Sequence, residues 1–404
     1  MTGALSGFRV LDLSRILAGP WASQMLADLG AEVIKVERPQ QGDDTRSWAP
    51  PYMPDREGSP TTESAYFHGA NRGKRSVCID MSTEQGQVLI RKLAVESDVL
   101  IENFKVGGLK KYGLDYDSLK SLNPKLVYCS ITGFGQTGPY AERAGYDFMI
   151  QAMGGLMSVT GTPEGEPMKV GVALADVMTG LYAANAIQAA LIHQLRTGQG
   201  QYIDLALLDV QVATLANQAM NFLATGNNPE RLGNAHPNIV PYQAFQTDDS
   251  FIILAIGNDA QFSRFCELTN AEALARDERY QKNANRVKNR SSLIPLIIDM
   301  MRTQTTDWWL DHLNQKGIPC GPINNLDQVF DDPQVQFRNM QLELDHPTAG
   351  KVNTVKNPIN LSKTPLEYAK AAPTLGQHTD EVLSQVLGID QASIEVLYED
   401  KIVC

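Results

Sequence analysis

The stretch Phe8–Glu37, FRVLDLSRILAGPWASQMLADLGAEVIKVE, decides the fold. Phe8–Leu13 is a short apolar run that reads as a strand. Pro20 stands where proline opens a helix, and Gly19–Leu29 follows with helical spacing. Ala31–Glu37 is a second strand. Two strands joined through a helix by short loops form a βαβ unit, so the sheet begins parallel.

Outward from this unit the alternation continues. Arg75–Asp80, Val99–Asn103 and Leu126–Thr132 read as further strands, and Thr83–Glu96 as an amphipathic helix. Met168–Ala173 and Tyr202–Leu207 extend the sheet. The pattern predicts an α/β protein with helices on both faces of the sheet. Gln40–Ser64 reads as one long loop; loops of that length inside a domain tend to serve function. Thr225–Asn238, TGNNPERLGNAHPN, is polar and turn-rich and reads as a linker. Short strands at Gln243–Gln246 and Ile252–Ile256, and three helical stretches between Gln261 and Lys316, make a smaller α+β unit. The predicted organisation is a large α/β domain over 1–210, a small domain over 226–328, and a return to the large domain over 329–404.

The chain has 404 residues, 43% hydrophobic and 20% charged, with a formal net charge of −11. That charge argues against general binding to nucleic acid or anionic membranes. No apolar run is long enough to span a bilayer, and Arg9 and Asp12 interrupt what would otherwise be a signal segment. The expected location is the cytoplasm. The five cysteines lack metal-like spacing; most lie in apolar runs and read as buried thiols in a reducing compartment. The six histidines also lack metal spacing, so no metal site is expected.

Val170–Gly180, VGVALADVMTG, holds one carboxylate, Asp176, between a predicted strand and the Ala/Leu-rich helix Val177–Leu195. At a strand's carboxyl end it is placed where ligands bind in open α/β sheets. It reads either as a nucleophile toward an activated acyl group or as a helix N-cap. GFGQTG, Gly133–Gly138, matches a dinucleotide fingerprint but lies far from the first βα turn. It reads better as a turn that lets backbone approach a ligand. GANRGKRS, Gly69–Ser76, is one residue short of a P-loop and has Arg75 in place of the magnesium-binding hydroxyl, which excludes ATP hydrolysis. With Arg38 and Lys105 at other strand ends, Arg72, Lys74 and Arg75 form a basic group suited to phosphate.

Taken together, the opening stretch, NRGKRS, IENF, SITGFGQTGP and VGVALADVMTG resemble the class III CoA-transferases across essentially the whole chain. GDDTR, AGYD, NAHPNIVPYQAF, GIPCGPINN, HPTAGKV and LGQHT resemble the dicarboxylate branch of that family, which includes succinate–hydroxymethylglutarate enzymes. The resemblance implies a large Rossmann-like parallel-sheet domain built from both chain ends, a smaller α+β domain, and an interlocked homodimer. It implies coenzyme A, delivered as acyl-CoA, and no metal. It places Asp176 at the catalytic aspartate. Arg38, Arg72, Lys74 and Arg75 would hold CoA phosphates. Asn103 and Phe104 would line the adenosine site, with Phe134 and Gly135 nearby. Ser14, Arg15 and Ile16 would border the thioester. Gly257 and Asn258 would stand at the mobile glycine loop, although IGNDAQ is not a glycine run.

The chemistry implied is attack of Asp176 on an acyl-CoA thioester, giving an aspartyl anhydride and then an aspartyl-CoA thioester. An ordinary aspartate, of pKa about 3.9, is ionised at neutral pH. Backbone amides of the glycine-rich turns would serve as oxyanion donors. Succinyl-CoA or glutaryl-CoA is the expected donor and a dicarboxylic acid the acceptor. Arg46 or Arg15 would clamp the acceptor's distal carboxylate. Two alternatives stand. One is an α-methylacyl-CoA racemase-like enzyme, disfavoured because AGYD offers Tyr146, a poor base of pKa about 10, instead of a histidine. The other is a non-catalytic acyl-CoA-binding protein, disfavoured by the presence of Asp176.

Overall fold

The computed structural model describes residues 3–404. Its chain divides into two compact units. The first holds residues up to Leu156, Val170–Ala219 and Gln336–Cys404; the second holds Met157–Lys169 and Met220–Val335. The first unit thus takes both chain ends. The segment from Met157 to Lys169, inside the span expected for the large domain, belongs to the second unit.

In the first unit, β1 (Arg9–Asp12), α1 (Ala18–Asp28) and β2 (Glu32–Glu37) form the βαβ unit, with Arg9 beside Glu32 in parallel register. The other sheet strands are β3 (Lys74–Cys78), β4 (Val99–Glu102), β5 (Val127–Thr132) and β6 (Tyr202–Ala206). All pairings are parallel, in the order β3-β2-β1-β4-β5-β6. This is the doubly wound order, which reverses direction between β1 and β4. Alternate side chains feed two cores. Val10, Val33 and Val99 face one packed by Ala22 and Leu26 of α1. Leu11, Ile34 and Leu100 face the other, packed by Leu89 and Leu93 of α2 (Glu84–Val95) and by Val382, Ile394 and Ile402 near the C-terminus. Burial on both faces explains the apolar centres of β1, β4 and β5, whereas β2 and β3 also bury Lys35, Lys74 and Arg75.

Three expectations are corrected. Met168–Ala173 is not a strand. Met168 and Val172 are 56% and 60% exposed, so the run buries no face that would hold it in a sheet. Gln40–Ser64 is not one loop; it contains a 3-10 turn at Asp44–Ser47 and an antiparallel pair, Tyr52–Pro54 with Pro60–Ser64. The cysteines are not all thiols: Cys78 in β3 is joined to Cys404 by a disulfide, with Cα atoms 5.3 Å apart. Cys129, Cys266 and Cys320 are free.

The second unit has an antiparallel sheet of Tyr242–Gln246, Phe251–Ala255 and Cys320–Pro322. Helices Asp259–Leu268, Arg290–Met301 and Thr306–Gln315 cover a core containing Phe245, Ile252, Phe265 and Trp309. Among the described residues no helix is long and apolar enough to cross a membrane.

Candidate active site

A parallel sheet leaves a crevice where its strand order reverses, outside the carboxyl ends of the strands. Here that crevice lies beyond β1 and β4, and the loops following them are tied together. The Arg15 N–H donates to Asn103 Oδ1 at 2.9 Å, and Asn103 Nδ2 donates to the Arg15 carbonyl at 2.7 Å. Next to Arg15, Ile16 has φ of +72°, a conformation a β-branched residue adopts only when its surroundings impose it. Its N–H is held by the Asp43 carboxylate at 3.2 Å. Burial pushes Asp43 up, but Lys35 Nζ at 2.8 Å and the Thr45 N–H outweigh it and hold its pKa at about 2. The Ser14 side chain is buried and donates to Asp12.

Two cavities open from these loops. The smaller, of about 190 Å³, is lined by Arg15, Ile16, Asn103, Phe104, Gly133, Arg143, Tyr146 and Asp176. The larger, of about 530 Å³, is lined by Arg15, Arg38, Phe104, Lys105, Lys111 and Tyr112. Arg15, Phe104 and Lys105 are common to both.

Asp176 is the third residue of a helix, α3 (Leu174–Thr197), whose N-cap is Ala173. It therefore does not cap the helix. That task falls to Asp147, the first residue of the helix Asp147–Met153, whose Oδ1 accepts from the Ala175 N–H at 2.8 Å and the Asp176 N–H at 3.4 Å. The loop carrying Asp147 is brought in by a backbone contact. A Cβ on Gly133 would stand 2.5 Å from the Gly145 Cα, and one on Gly145 would stand 2.3 Å from the Gly133 Cα. Only glycine allows that approach. The GFGQTG turn therefore seats the Asp147 loop.

Burial first, and the Asp147 carboxylate second, raise the Asp176 pKa to about 7. The expectation of an ordinary, fully ionised aspartate is thus corrected: desolvation and a like charge win over the helix dipole. No cation or hydrogen-bond donor pairs with its side chain among the described residues.

Several predicted cations do not line either cavity. Arg72 makes a buried two-pronged pair with Asp28, at 2.9 and 2.6 Å. Lys74 is fully buried and donates to Asp12 at 3.1 Å, Asn71 at 2.8 Å and the Pro20 carbonyl at 3.0 Å. Arg75 pairs with Glu32 and Glu381. Arg46 grips the buried Glu37 at 2.7 and 2.8 Å and lies 3.6 Å over the Phe67 ring. Positive charge in NRGKRS and GDDTR neutralises buried acids, a use that a charge count cannot distinguish from phosphate binding. Arg38 and Arg15 are different. Both share the half-exposed Asp44 and both border the larger cavity.

Phe134 packs partly in the core beside Tyr140, and Gly135 has φ of +88° with its N–H on Thr132 Oγ1. Tyr146 is 65% exposed at the rim of the smaller cavity. Gly257 and Asn258 belong to the second unit, where Asn258 caps the helix Asp259–Leu268. Sequence reasoning missed Lys111, Arg143 and Asp147. Asp147 had a signal: it is the acid of AGYD, two residues after a glycine.

One cluster resembles a metal centre: Glu63, His68 and His346 are buried with ligand atoms within 4.8 Å of one another. It does not fit a cation. His346 Nδ1 accepts from the Ala349 N–H at 3.0 Å, so in the neutral ring Nε2 carries the proton. Arg46 Nη1 already stands 3.9 Å from Glu63 Oε2.

The whole chain has relatives. CoA-transferase family III matches residues 5–379, and the chain belongs to that family; it is a CoA-transferase. It is 52% identical to the succinate–glutarate CoA-transferase of Agrobacterium fabrum, covering 96% of this chain and 97% of that one. It is 43% identical to the succinyl-CoA:glutarate CoA-transferase of Homo sapiens, covering 96% and 87%. A crystal structure of a CAIB/BAIF family protein from Brucella suis superposes with a TM-score of 0.84 at 52% identity, over 96% of this chain and 100% of that one.

Proposed function

We propose that this enzyme exchanges CoA between succinyl-CoA and glutarate, with other C4–C6 dicarboxylates as neighbouring substrates, through covalent intermediates on Asp176. The observation that carries the reading is a half-buried carboxylate, unpaired among the described residues, facing a cavity at the sheet's switch point. The names of the relatives support the substrate pair.

Ionised Asp176 attacks the thioester carbonyl, and the C–S bond breaks to release CoA thiolate and leave an aspartyl anhydride. The thiolate then attacks the aspartyl carbonyl of that anhydride, forming the aspartyl-CoA thioester and freeing the donor acid. The acceptor carboxylate runs the two steps in reverse. Each step exchanges one acyl bond for another, so positioning governs the rate. Arg38, Lys105 and Lys111 around the larger cavity hold the CoA phosphates, with Phe104 against the adenosine. Arg15 clamps the distal carboxylate of the dicarboxylate. On this reading the enzyme is an interlocked homodimer and uses no metal.

The test is a panel of acyl-CoA donors crossed with carboxylate acceptors, read by mass spectrometry, together with mass analysis of the Asp176 peptide after incubation with donor alone. A CoA adduct on that peptide and preference for glutarate are expected. Preference for formate, carnitine or a branched monocarboxylate refutes the substrate assignment, and turnover by Asp176→Asn refutes the covalent mechanism.

A further inference from the structure

We infer that Asp147 is a positioning residue of the transfer reaction, fixing the first turn of α3 and hence the place from which Asp176 attacks. The inference rests on the reading of Asp176 as the nucleophile.

A helix starts with N–H groups that have no partner inside it. Alanine at the N-cap cannot satisfy them, and the Ala173 side chain makes no capping bond. Asp147 supplies the missing acceptor from another element, through Oδ1 to the Ala175 and Asp176 N–H groups. Its Oδ2 accepts from Gln151 Nε2 at 2.7 Å, and the Gln151 side-chain carbonyl accepts from the Val170 N–H at 2.9 Å. The segment entering α3 is therefore held at both ends by one pair of side chains, with Gln151 fully buried.

This arrangement does two things a local cap would not. A cap at position 173 would hold the helix only to its own loop. Asp147 instead fixes α3 to the loop that lines the smaller cavity, so nucleophile and cavity wall move together. It also places a carboxylate beside the nucleophile, where like charge favours the neutral form of Asp176. Other groups face this corner. The Tyr66 phenol is raised by burial and by Asp176 and Asp147. Arg15, Glu142 and Arg143 line the same cavity.

The experiment compares Asp147→Asn, Asp147→Ala and Gln151→Ala with wild type in kcat, KM for both substrates, and pH profile, with folding checked by circular dichroism. In Asp147→Asn the amide oxygen still accepts the two helix N–H groups, but the charge and the Gln151 bond are gone. The acidic limb of its kcat profile should move to lower pH, by roughly half a unit or more. Gln151→Ala removes the same side-chain bond without changing charge and should leave that limb in place. Asp147→Ala should lose about tenfold or more in kcat with KM nearly unchanged, because the nucleophile is misplaced. A folded Asp147→Ala with kcat within about twofold of wild type overturns the inference. An unmoved limb in Asp147→Asn overturns the charge argument. If the alanine variant fails to fold, Gln151→Ala decides the matter, since it frees both Asp147 and the Val170 N–H, and a kcat within about twofold of wild type there overturns the inference. An equal shift in Gln151→Ala overturns the charge argument. Turnover by Asp176→Asn would show instead that the nucleophile was misassigned, and it is read without either Asp147 variant.

Discussion

Arg46 and Arg15 both looked suited to clamp a dicarboxylate, and the structure separates them by energy. Arg46 pairs through two nitrogens with Glu37, which is 3% exposed, donates to the Pro373 carbonyl at 3.0 Å and stacks on Phe67. Burial pushes Glu37 up, but the Arg46 bonds outweigh it and keep the carboxyl below its ordinary range. Turning Arg46 toward a substrate would break its buried ion pair with that carboxylate, leaving the Ser76 hydroxyl and the Asp43 N–H as hydrogen-bond donors to it. Breaking such a pair costs about 3–5 kcal/mol, more than a new surface contact returns. Arg15 makes its ion pair, among the described residues, with the half-exposed Asp44 at 2.8 Å, an interaction of about 0–1 kcal/mol, and its guanidinium lies 5.5 Å over the Phe104 ring. It can exchange Asp44 for a substrate carboxylate at little cost. Arg46→Ala should therefore destabilise the first unit by about 3–5 kcal/mol, seen as an early urea transition by circular dichroism. The ratio of kcat/KM for glutarate over butyrate should be unchanged in the protein that remains folded. Arg15→Ala should keep stability and lose that ratio by about tenfold or more. An Arg46→Ala variant of wild-type stability that has lost its dicarboxylate preference would refute the reasoning.

Activity should rise with pH through about 7, because burial and Asp147 raise Asp176 and only its ionised form attacks; below that point kcat should fall about tenfold per pH unit, and a flat profile down to pH 5 would contradict it. Lys105→Ala with Lys111→Ala should raise KM for every acyl-CoA by a similar factor, whereas a change confined to one acyl chain would show that these lysines read the acyl group. Lys74→Met should leave that KM unchanged and cost about 3–5 kcal/mol of stability, because it removes the cation paired with the buried Asp12 carboxylate; denaturant unfolding beside acyl-CoA kinetics checks both.

The parallel sheet was legible because its central strands are buried on both faces and have apolar centres, from Val10 and Leu11 to Val127 and Ile131. Asp176 was legible as a lone acid before a long apolar helix. What could not be read was pairing between distant residues. Arg72 with Asp28 spans 44 positions, and Lys74 with Asp12 spans 62. A basic run looks the same whether its charges meet phosphate or buried carboxylates. The strand read at Met168–Ala173 failed for a related reason. A short apolar run has no period long enough to separate strand from loop, and only the absence of a burying face decides. Cys78 and Cys404 lie 326 residues apart, and spacing carries no signal at that range.

The raised pKa of Asp176 has a consequence for the proposed chemistry. A carboxylate stabilised by two or three donors is fully ionised at neutral pH, but it loses those bonds when it attacks. Asp176 has none to lose among the described residues, so its basicity is retained for the thioester carbonyl. The cost is that a sizeable fraction is neutral near pH 7. Formation of the anhydride moves the negative charge from Asp176 to the CoA sulfur. That transfer removes both the burial penalty and the repulsion from Asp147, the two effects that raised the group at the outset. The same features that make the resting carboxylate unfavourable therefore favour its conversion to a neutral acyl derivative, and they act only on the reacting group. A cation beside Asp176 would reverse this, stabilising the resting anion and opposing attack. Arg46, Arg72 and Lys74 instead stand at buried acids, Arg38, Lys105 and Lys111 stand around the larger cavity, and Arg15 and Arg143, which line the smaller one, pair with no Asp176 oxygen among the described residues.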